Sequence, residues 1–136
     1  MSKTLTGSCG CGAVQYEISG PVKLVVNCHC NTCRNMNGAA YSTYGVIARD
    51  DLAIQQGQES IATYQVSENA QKQFCSICGS PLYNVGNRYP GLCMVHYGSL
   101  SGSHSLTPAF NIYCESKLPW VDGIASIKSF DQAIER

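Results

Sequence analysis

Cys28-His29-Cys30-Asn31-Thr32-Cys33 decides this fold, because it places three thiols and an imidazole within six residues. An apolar core has no need of so much sulfur, and three neighbouring cysteines cannot all pair with one another in disulfides. The Asn-Thr pair before Cys33 is typical of a tight turn, which lets the three sulfurs converge on one cation. The stretch therefore predicts a zinc site that is built by a single loop and supplies only three sulfur ligands.

The length and charge of the chain exclude several classes of function. With 136 residues it has the size of one domain, residues 1–136, and can bury a core of its own. Its nine basic and nine acidic residues give no net charge, which argues against nucleic-acid binding and a membrane-surface patch. No apolar run reaches the length of a membrane span, and no export signal is recognisable. A soluble, cytoplasmic protein is expected.

The cysteine content points to metal binding. Nine cysteines are many for this length, and an odd number does not suit a secreted disulfide scaffold. In a reducing cytosol, clustered thiols are more often metal ligands or catalytic groups. We therefore interpret the clusters as metal sites.

Short alternating apolar runs between turn clusters predict a mainly β domain. The run before Cys28 predicts that the three-cysteine loop follows a strand. No amphipathic helix of twelve residues is recognisable, and the tail from Lys117 is expected to be irregular. The predicted strands are 14–18, 24–26, 40–47, 61–64, 72–74, 81–85, 92–97 and 110–114.

Two further cysteine motifs accompany the central cluster. Cys9-Gly10-Cys11 is a C-x-C motif, and Cys75-Ser76-Ile77-Cys78 is a C-x-x-C motif followed by Gly79, as in a zinc knuckle. Together they offer four thiolates, the set of a closed structural zinc site. Spacing also allows Cys9, Cys11, Cys28 and Cys30 to group, which leaves Cys33, Cys75 and Cys78. We prefer the first grouping, since one loop closes the three-sulfur set at little entropic cost.

The charge of the three-sulfur set limits its chemistry. Three thiolates on one Zn²⁺ give a net negative charge, so this zinc is a weak Lewis acid and a poor generator of hydroxide. Its soft character suits a fourth sulfur ligand, and zinc deprotonates an incoming thiol at neutral pH. The site is therefore interpreted as a thiol-substrate site rather than a hydrolase.

Three segments in the same order resemble the glutathione-dependent formaldehyde-activating enzyme (GFA) family, which includes centromere protein V-like members. The resemblance covers roughly residues 5–120. The segments are Gly7-Ser8-Cys9-Gly10-Cys11-Gly12-Ala13-Val14-Gln15-Tyr16, Cys28-His29-Cys30-Asn31-Thr32-Cys33-Arg34 and Phe74-Cys75-Ser76-Ile77-Cys78-Gly79-Ser80-Pro81-Leu82.

The resemblance implies a zinc-bearing β-tent fold of several small antiparallel sheets and two zinc ions per chain. It assigns Cys9, Cys11, Cys75 and Cys78 to a structural zinc, and Cys28, Cys30 and Cys33 to a catalytic zinc. The implied reaction joins glutathione and formaldehyde into S-hydroxymethylglutathione and is classed as a carbon–sulfur lyase in reverse. Asn111 departs from the pattern, since many members have histidine there.

Arg34 and Asn35 directly follow the site and are candidates for binding a carboxylate of a glutathione-like ligand. Lys72 and Arg88 are weaker candidates of the same kind. His29 is interpreted as packed or supporting rather than ligating, because a side chain next to a ligand usually points away from the metal.

The remaining candidates are expected to have structural roles. Cys93 and Cys114 lack a partner motif and are expected to be buried and inert. His96 and His104 are expected to be structural or exposed, and Trp120 is expected to anchor the C-terminal segment.

Two functions follow from these patterns. The first is a zinc-dependent carbon–sulfur lyase-type enzyme that acts on glutathione or another small thiol and on an aldehyde, with no clear general acid in the sequence. The second is a non-catalytic zinc- and thiol-binding module or interaction domain of the same fold.

Overall fold

The computed structural model describes residues 4–101 and 105–134, and this part of the chain is mainly β, as predicted. One short α-helix, α1 (Asn31–Asn37), follows the third strand. The strands are β1 (Leu5–Ser8), β2 (Gln15–Ile18), β3 (Leu24–Cys28), β4 (Ser42–Ala48), β5 (Leu52–Gln56), β6 (Ile61–Gln65), β7 (Ala70–Cys75), β8 (Pro81–Gly86), β9 (Leu92–His96), β10 (Leu100–Ser101) and β11 (Phe110–Ile112). Among the described residues, no helix has the length and apolarity that crossing a bilayer requires.

The strands form a four-stranded sheet in the order β10-β1-β2-β5 and a seven-stranded sheet in the order β11-β3-β4-β9-β8-β7-β6. The pairs are antiparallel except that β11 runs parallel to β3. The resemblance implied antiparallel sheets and gave no hint of this parallel edge. Residue alternation identifies the buried face of a strand but not the direction of its neighbour.

The main core lies between the two sheets. Tyr16 and Ile18 of β2 pack against Ile47, Cys93 and Val95 from the middle of the seven-stranded sheet, and all five are almost completely buried. Alternation along β4 and β9 places the intervening residues on the opposite face. One sheet face is therefore closed by the main apolar core, and the other carries a smaller buried cluster of Val26, Cys28 and Tyr44, against which Cys30 and Cys33 pack.

That opposite face carries α1 and is called the helix-side face. Strand register aligns Tyr44 with His96 and Lys72 with Asn84 across neighbouring strands of this face. The helix is held over these residues, because Asn37 donates from Nδ2 to the Tyr44 hydroxyl and Lys72 donates from Nζ to a carbonyl of the last helical turn. The polar side chains of Tyr44, His96, Lys72 and Asn84 therefore lie on the sheet face beneath α1, the only α-helix in the described ranges.

The C-terminal expectations were partly wrong. Strand β11 ends at Ile112 because Tyr113 has a left-handed backbone (φ 57°), which an extended strand does not accommodate. Cys114 consequently lies in a 3-10 turn and is exposed rather than buried. Trp120 is 57% exposed, so its ring does not anchor the tail. In contrast, Cys93 is fully buried, as expected.

Candidate metal centres

The first centre forms where β1 and β7 end. Cys9 follows β1, and Cys75 is the last residue of β7, so the two motifs meet at one edge of the molecule. Each motif makes a tight turn that ends in a glycine with φ near +79°, Gly12 in one and Gly79 in the other. This left-handed conformation is costly for other residues. The glycines thus allow both turns to present their sulfurs toward a common point.

The four sulfurs of this centre have the spacing that a metal ion needs. The Sγ atoms of Cys9, Cys11, Cys75 and Cys78 lie within 4.8 Å of one another. Two pairs are closer, with Cys9–Cys11 at 3.6 Å and Cys11–Cys75 at 3.8 Å. A tetrahedral zinc with bonds of about 2.3 Å has sulfurs about 3.8 Å apart. The cluster can therefore hold a metal ion, and its four thiols suit zinc.

Ser80 connects the two turns of this centre. Its hydroxyl accepts a hydrogen bond from the Gly10 N–H at 2.9 Å, so its own proton is available to the Cys78 sulfur 3.2 Å away. The hydroxyl and the backbone N–H of Ser80 stabilise the thiolate and lower the pKa of Cys78 to about 5. At neutral pH this sulfur is therefore ready to ligate a cation.

The second centre is built at the start of α1. Strand β3 ends at Cys28. Cys30 is the N-cap of the helix, and its sulfur accepts a hydrogen bond from the Cys33 N–H at 3.2 Å. The three sulfurs of Cys28, Cys30 and Cys33 lie within 4.8 Å of one another. In residues 4–101 and 105–134, no other Cys, His, Asp or Glu side chain joins this group. The seven sulfurs therefore form the four-sulfur and three-sulfur groups that we preferred from the spacing. The alternative, in which Cys28 and Cys30 join Cys9 and Cys11, is not observed.

The protonation of this centre also suits a metal ion. A hydrogen bond from the Cys33 thiol is the largest influence that lowers the pKa of Cys28, and the same contact raises the pKa of Cys33. The Cys28 sulfur is therefore the more readily ionised of the two. A divalent cation that binds three thiolates replaces the thiol protons, so the cluster is of a kind that can hold a metal.

A directed chain of hydrogen bonds supports the second centre. His96 Nε2 donates to Asn84 Oδ1 at 2.9 Å, which orients the Asn84 amide so that its Nδ2 donates to the Tyr44 hydroxyl at 3.4 Å. Asn37 Nδ2 donates to the same hydroxyl at 3.4 Å. Because it already accepts two N–H groups, Tyr44 directs its own proton to Cys33 Sγ, 3.1 Å away. Burial, and then the Cys33 sulfur, raise the pKa of Tyr44, so the hydroxyl stays protonated.

Replacement of Tyr44 by Phe should weaken metal binding at this centre. The substitution removes the hydrogen bond to Cys33 and keeps the ring, and loss of such a supporting contact typically costs about 10-fold or more in metal affinity. Competition between the protein and a chelator for Co²⁺, followed by thiolate-to-cobalt absorption, measures the change. Tyr83→Phe is the matched control, since Tyr83 is half-buried on the other face. Equal affinities for the wild type and Tyr44→Phe would contradict the role of this hydroxyl.

His96 should make the stability of the protein depend on pH. Burial, and secondarily the charge of Lys72, lower the pKa of His96 to about 3. The unfolded chain binds this proton near pH 6.5, so the free energy of unfolding should fall as the pH drops from 6.5 toward 3. The largest slope is about 1.4 kcal/mol per pH unit.

Urea unfolding of the wild type and of His96→Gln between pH 7 and about pH 5 tests this expectation. Glutamine can donate to Asn84 Oδ1 in place of the imidazole, and both proteins contain the same cysteines, so metal release at low pH should affect them alike. As the pH falls, the free energy of unfolding should decrease less for His96→Gln than for the wild type. A difference that does not vary with pH would show that His96 does not cause the effect.

The residues next to the second centre are mostly engaged in holding the loop. His29 is 1% exposed, packs on Tyr41, and has Nε2 3.1 Å from Asn111 Oδ1. Arg34 donates to the carbonyls of His29 and Ser116 and to Asn31 Oδ1. His29 therefore packs away from the sulfurs, as expected, and Asn111 fixes its ring. The guanidinium of Arg34 ties the loop to the C-terminal segment.

Two cavities border α1, and neither is lined by Cys28, Cys30 or Cys33. One of about 670 Å³ is lined by Asn35, which is exposed, and by the buried Lys72. The other, of about 450 Å³, extends from Ser80 beside the first centre to His96. Arg88 lies away from these sites, exposed over the ring of Tyr89. His104 lies outside the described residues.

The sequence patterns did not identify the hydrogen-bond chain. No motif singles out Tyr44, and His96 is expected from the sequence to be structural or exposed. Strand alternation indicates that both could share a face with the cysteine loop, but their alignment depends on β4 pairing with β9. No local motif marks Asn84.

The fold and the paired cysteine centres define a mainly β protein with one four-sulfur and one three-sulfur site, each able to hold a metal ion. Comparison with known proteins agrees: residues 4–116 match the sequence model of the family described as glutathione-dependent formaldehyde-activating enzyme. The chain belongs to this family.

Individual relatives are more distant. A Halomonas elongata protein is 27% identical over 125 residues, which is 87% of this chain and 80% of the relative. A Podospora anserina protein is 31% identical over 96 residues, 67% of this chain but only 45% of the relative. Both carry the family's enzyme name provisionally. A crystal structure of a Rhodobacter sphaeroides protein has the same fold, with a TM-score of 0.65, 24% identity, and coverage of 78% of this chain and 98% of that one.

Proposed function

We propose that this chain, as a single GFA-type domain over residues 1–136, is a zinc-dependent enzyme that joins glutathione or a similar small thiol to formaldehyde. The product is S-hydroxymethylglutathione, and the reaction is of the carbon–sulfur lyase type. The observation that supports it most is the three-sulfur set of Cys28, Cys30 and Cys33 beside the donating hydroxyl of Tyr44. Family membership gives independent support.

The proposal includes two zinc ions per chain, a structural one at Cys9, Cys11, Cys75 and Cys78 and a catalytic one at the three-sulfur set. When bound there, zinc keeps an incoming thiol deprotonated at neutral pH. The chain's own residues fix the cysteine loop through the N-cap hydrogen bond of Cys30 and the contacts of Arg34. Because the loop is held in place, the incoming thiolate keeps one orientation toward the aldehyde. The resulting proximity of the two reactants contributes to the rate.

The reaction itself makes modest demands on the protein. The thiolate sulfur forms a bond to the carbonyl carbon, the C=O π bond breaks, and the oxygen takes up one proton, which balances the proton that the thiol lost. The Tyr44 hydroxyl lies 3.1 Å from Cys33 Sγ, and its raised pKa keeps it protonated at neutral pH. Its hydrogen bond to Cys33 lowers the charge on that sulfur.

With nine free cysteines, the protein is proposed to act in a reducing cytoplasm.

Exchange NMR with ¹³C-formaldehyde and glutathione tests this function directly. The rate at which the hemithioacetal signal exchanges with free formaldehyde should rise in proportion to the zinc-loaded protein. Chelator-treated protein provides the control and should give the uncatalysed rate. A zinc-loaded protein that leaves the exchange rate unchanged would favour the binding-module alternative over catalysis.

A further inference from the structure

His29 lies between two of the three clustered cysteines and is held by contacts to its backbone and to its ring. Its N–H donates to the Ile112 carbonyl at 3.0 Å, and its own carbonyl accepts from Arg34 Nη1 at 3.2 Å. The side chain is only 1% exposed, and Nε2 lies 3.1 Å from Asn111 Oδ1. Ile112 and Asn111 both belong to β11. The peptide between the two cysteines therefore depends on this edge strand.

A row of polar side chains across three neighbouring strands leads to His29. Strand register aligns Thr43 of β4 with Asn27 of β3, and Asn27 with Asn111 of β11. Thr43 Oγ1 donates to Asn27 Oδ1 at 2.7 Å, which orients the Asn27 amide so that its Nδ2 donates to Asn111 Oδ1 at 3.2 Å. Because side chains alternate along β3, this row lies on the opposite sheet face from the Cys28 side chain. The row can therefore act on the sulfurs only through His29.

The direction of these hydrogen bonds decides which nitrogen of His29 carries the proton. A carbonyl oxygen can only accept, so His29 Nε2 must be the donor in its contact with Asn111 Oδ1. Within residues 4–101 and 105–134, the buried His29 Nδ1 has no hydrogen-bond partner. No competing contact in this part of the chain draws the proton to Nδ1. The bond to Asn111 therefore selects the Nε2–H tautomer and one orientation of the ring.

We propose that Asn111 is a positioning residue for the three-sulfur centre and acts through His29 on the peptide between Cys28 and Cys30. The inference rests on the proposed function, because it concerns the centre at which the thiol would bind. Asn111 takes no part in the chemistry. It keeps the His29 ring in place, and with the ring it keeps the relative position of the two sulfurs on either side. Supporting contacts of this kind typically contribute about 10–100-fold to metal affinity.

NMR of the imidazole nitrogens in ¹⁵N-labelled protein tests the arrangement directly. In the zinc-loaded wild type, His29 should have a protonated Nε2 and an unprotonated Nδ1. Asn111→Leu keeps a side chain of similar size but removes the acceptor, so the proton should redistribute between the two nitrogens. Asn111→Asp retains an oxygen acceptor and should keep the tautomer of the wild type. Thr43→Val removes only the first donor of the row and should have a smaller effect than Asn111→Leu.

Competition between the protein and a chelator for Co²⁺ measures the consequence for the metal site. Asn111→Leu should lower the affinity of the three-sulfur centre at least about 10-fold. The four-sulfur centre contains none of the residues of the row and should keep the affinity of the wild type. Asn111→Asp should retain most of the affinity at the three-sulfur centre. Asn87→Leu is the matched control, since Asn87 is exposed directly after β8 and belongs to neither sulfur group.

A wild-type His29 with its proton on Nδ1 would overturn the proposal. So would an Asn111→Leu protein in which the tautomer or the Co²⁺ affinity of the three-sulfur centre is unchanged. An equal loss of affinity at both centres would also overturn it, because the substitution would then act on the fold in general. Failure of the proposed function looks different: the zinc-loaded wild type would not accelerate formaldehyde exchange, although Asn111→Leu still lowered the Co²⁺ affinity.

Discussion

Cys75→Ser should abolish metal binding at the four-sulfur centre and strongly destabilise the fold. Cys75 is completely buried at the end of β7, and its sulfur lies 3.8 Å from that of Cys11, near the start of the chain. The centre therefore connects β1 to β7, which lie in different sheets. Structural zinc sites contribute on the order of 10 kcal/mol to folding, so loss of one ligand should lower the free energy of unfolding by several kcal/mol.

Native mass spectrometry and urea unfolding measure both effects. The variant should bind one zinc fewer than the wild type and should unfold at a much lower urea concentration. Cys93→Ser is the matched control, because Cys93 is equally buried but belongs to neither sulfur group. It should lose some stability through its buried hydroxyl and keep its zinc. A Cys75→Ser protein with unchanged zinc content and unfolding free energy would refute the structural role of this centre.

Cys30→Ser should abolish thiol binding and activity while leaving the fold intact. The sulfur of Cys30 serves both as one of the three clustered sulfurs and as the N-cap of α1. Serine is a favoured N-cap residue, so its hydroxyl can accept the hydrogen bond from the Cys33 N–H and preserve the helix. The substitution thus separates the metal-binding role of this residue from its structural role.

The expected loss of activity is at least about 100-fold, since even residues that only support a metal ligand typically contribute 10–100-fold. Native mass spectrometry with and without glutathione should show one zinc fewer and no retained glutathione adduct. Cys114→Ser, an exposed cysteine outside both groups, should behave as the wild type. If Cys30→Ser unfolds instead, the central site is structural as well. If it retains full activity, the proposed catalytic site is wrong.

The local sequence determined much of this protein. The C-x-C, C-x-C-x-x-C and C-x-x-C motifs specify which sulfurs are close, because residues two or three apart in a tight turn have little freedom to separate. Gly12 and Gly79 supply the left-handed conformation that the turns need. Alternation predicted the strands around Cys28 and Cys75, since a half-buried strand repeats every two residues. The mainly β class follows from the same patterns.

Strand pairing decided the remainder, because a contact between distant segments depends on which strands become neighbours. The alignment of Tyr44 with His96, and of Lys72 with Asn84, is a consequence of the order β4-β9-β8-β7. That order places a donating hydroxyl beside Cys33 and brings Lys72 under α1, where its Nζ donates to the Met36 carbonyl. The exposed position of Cys114 depends in the same way on where β11 ends beside β3. The sequence alone therefore determined the local cysteine motifs, whereas only the tertiary structure decided how these motifs combine into two centres and which polar side chains surround them.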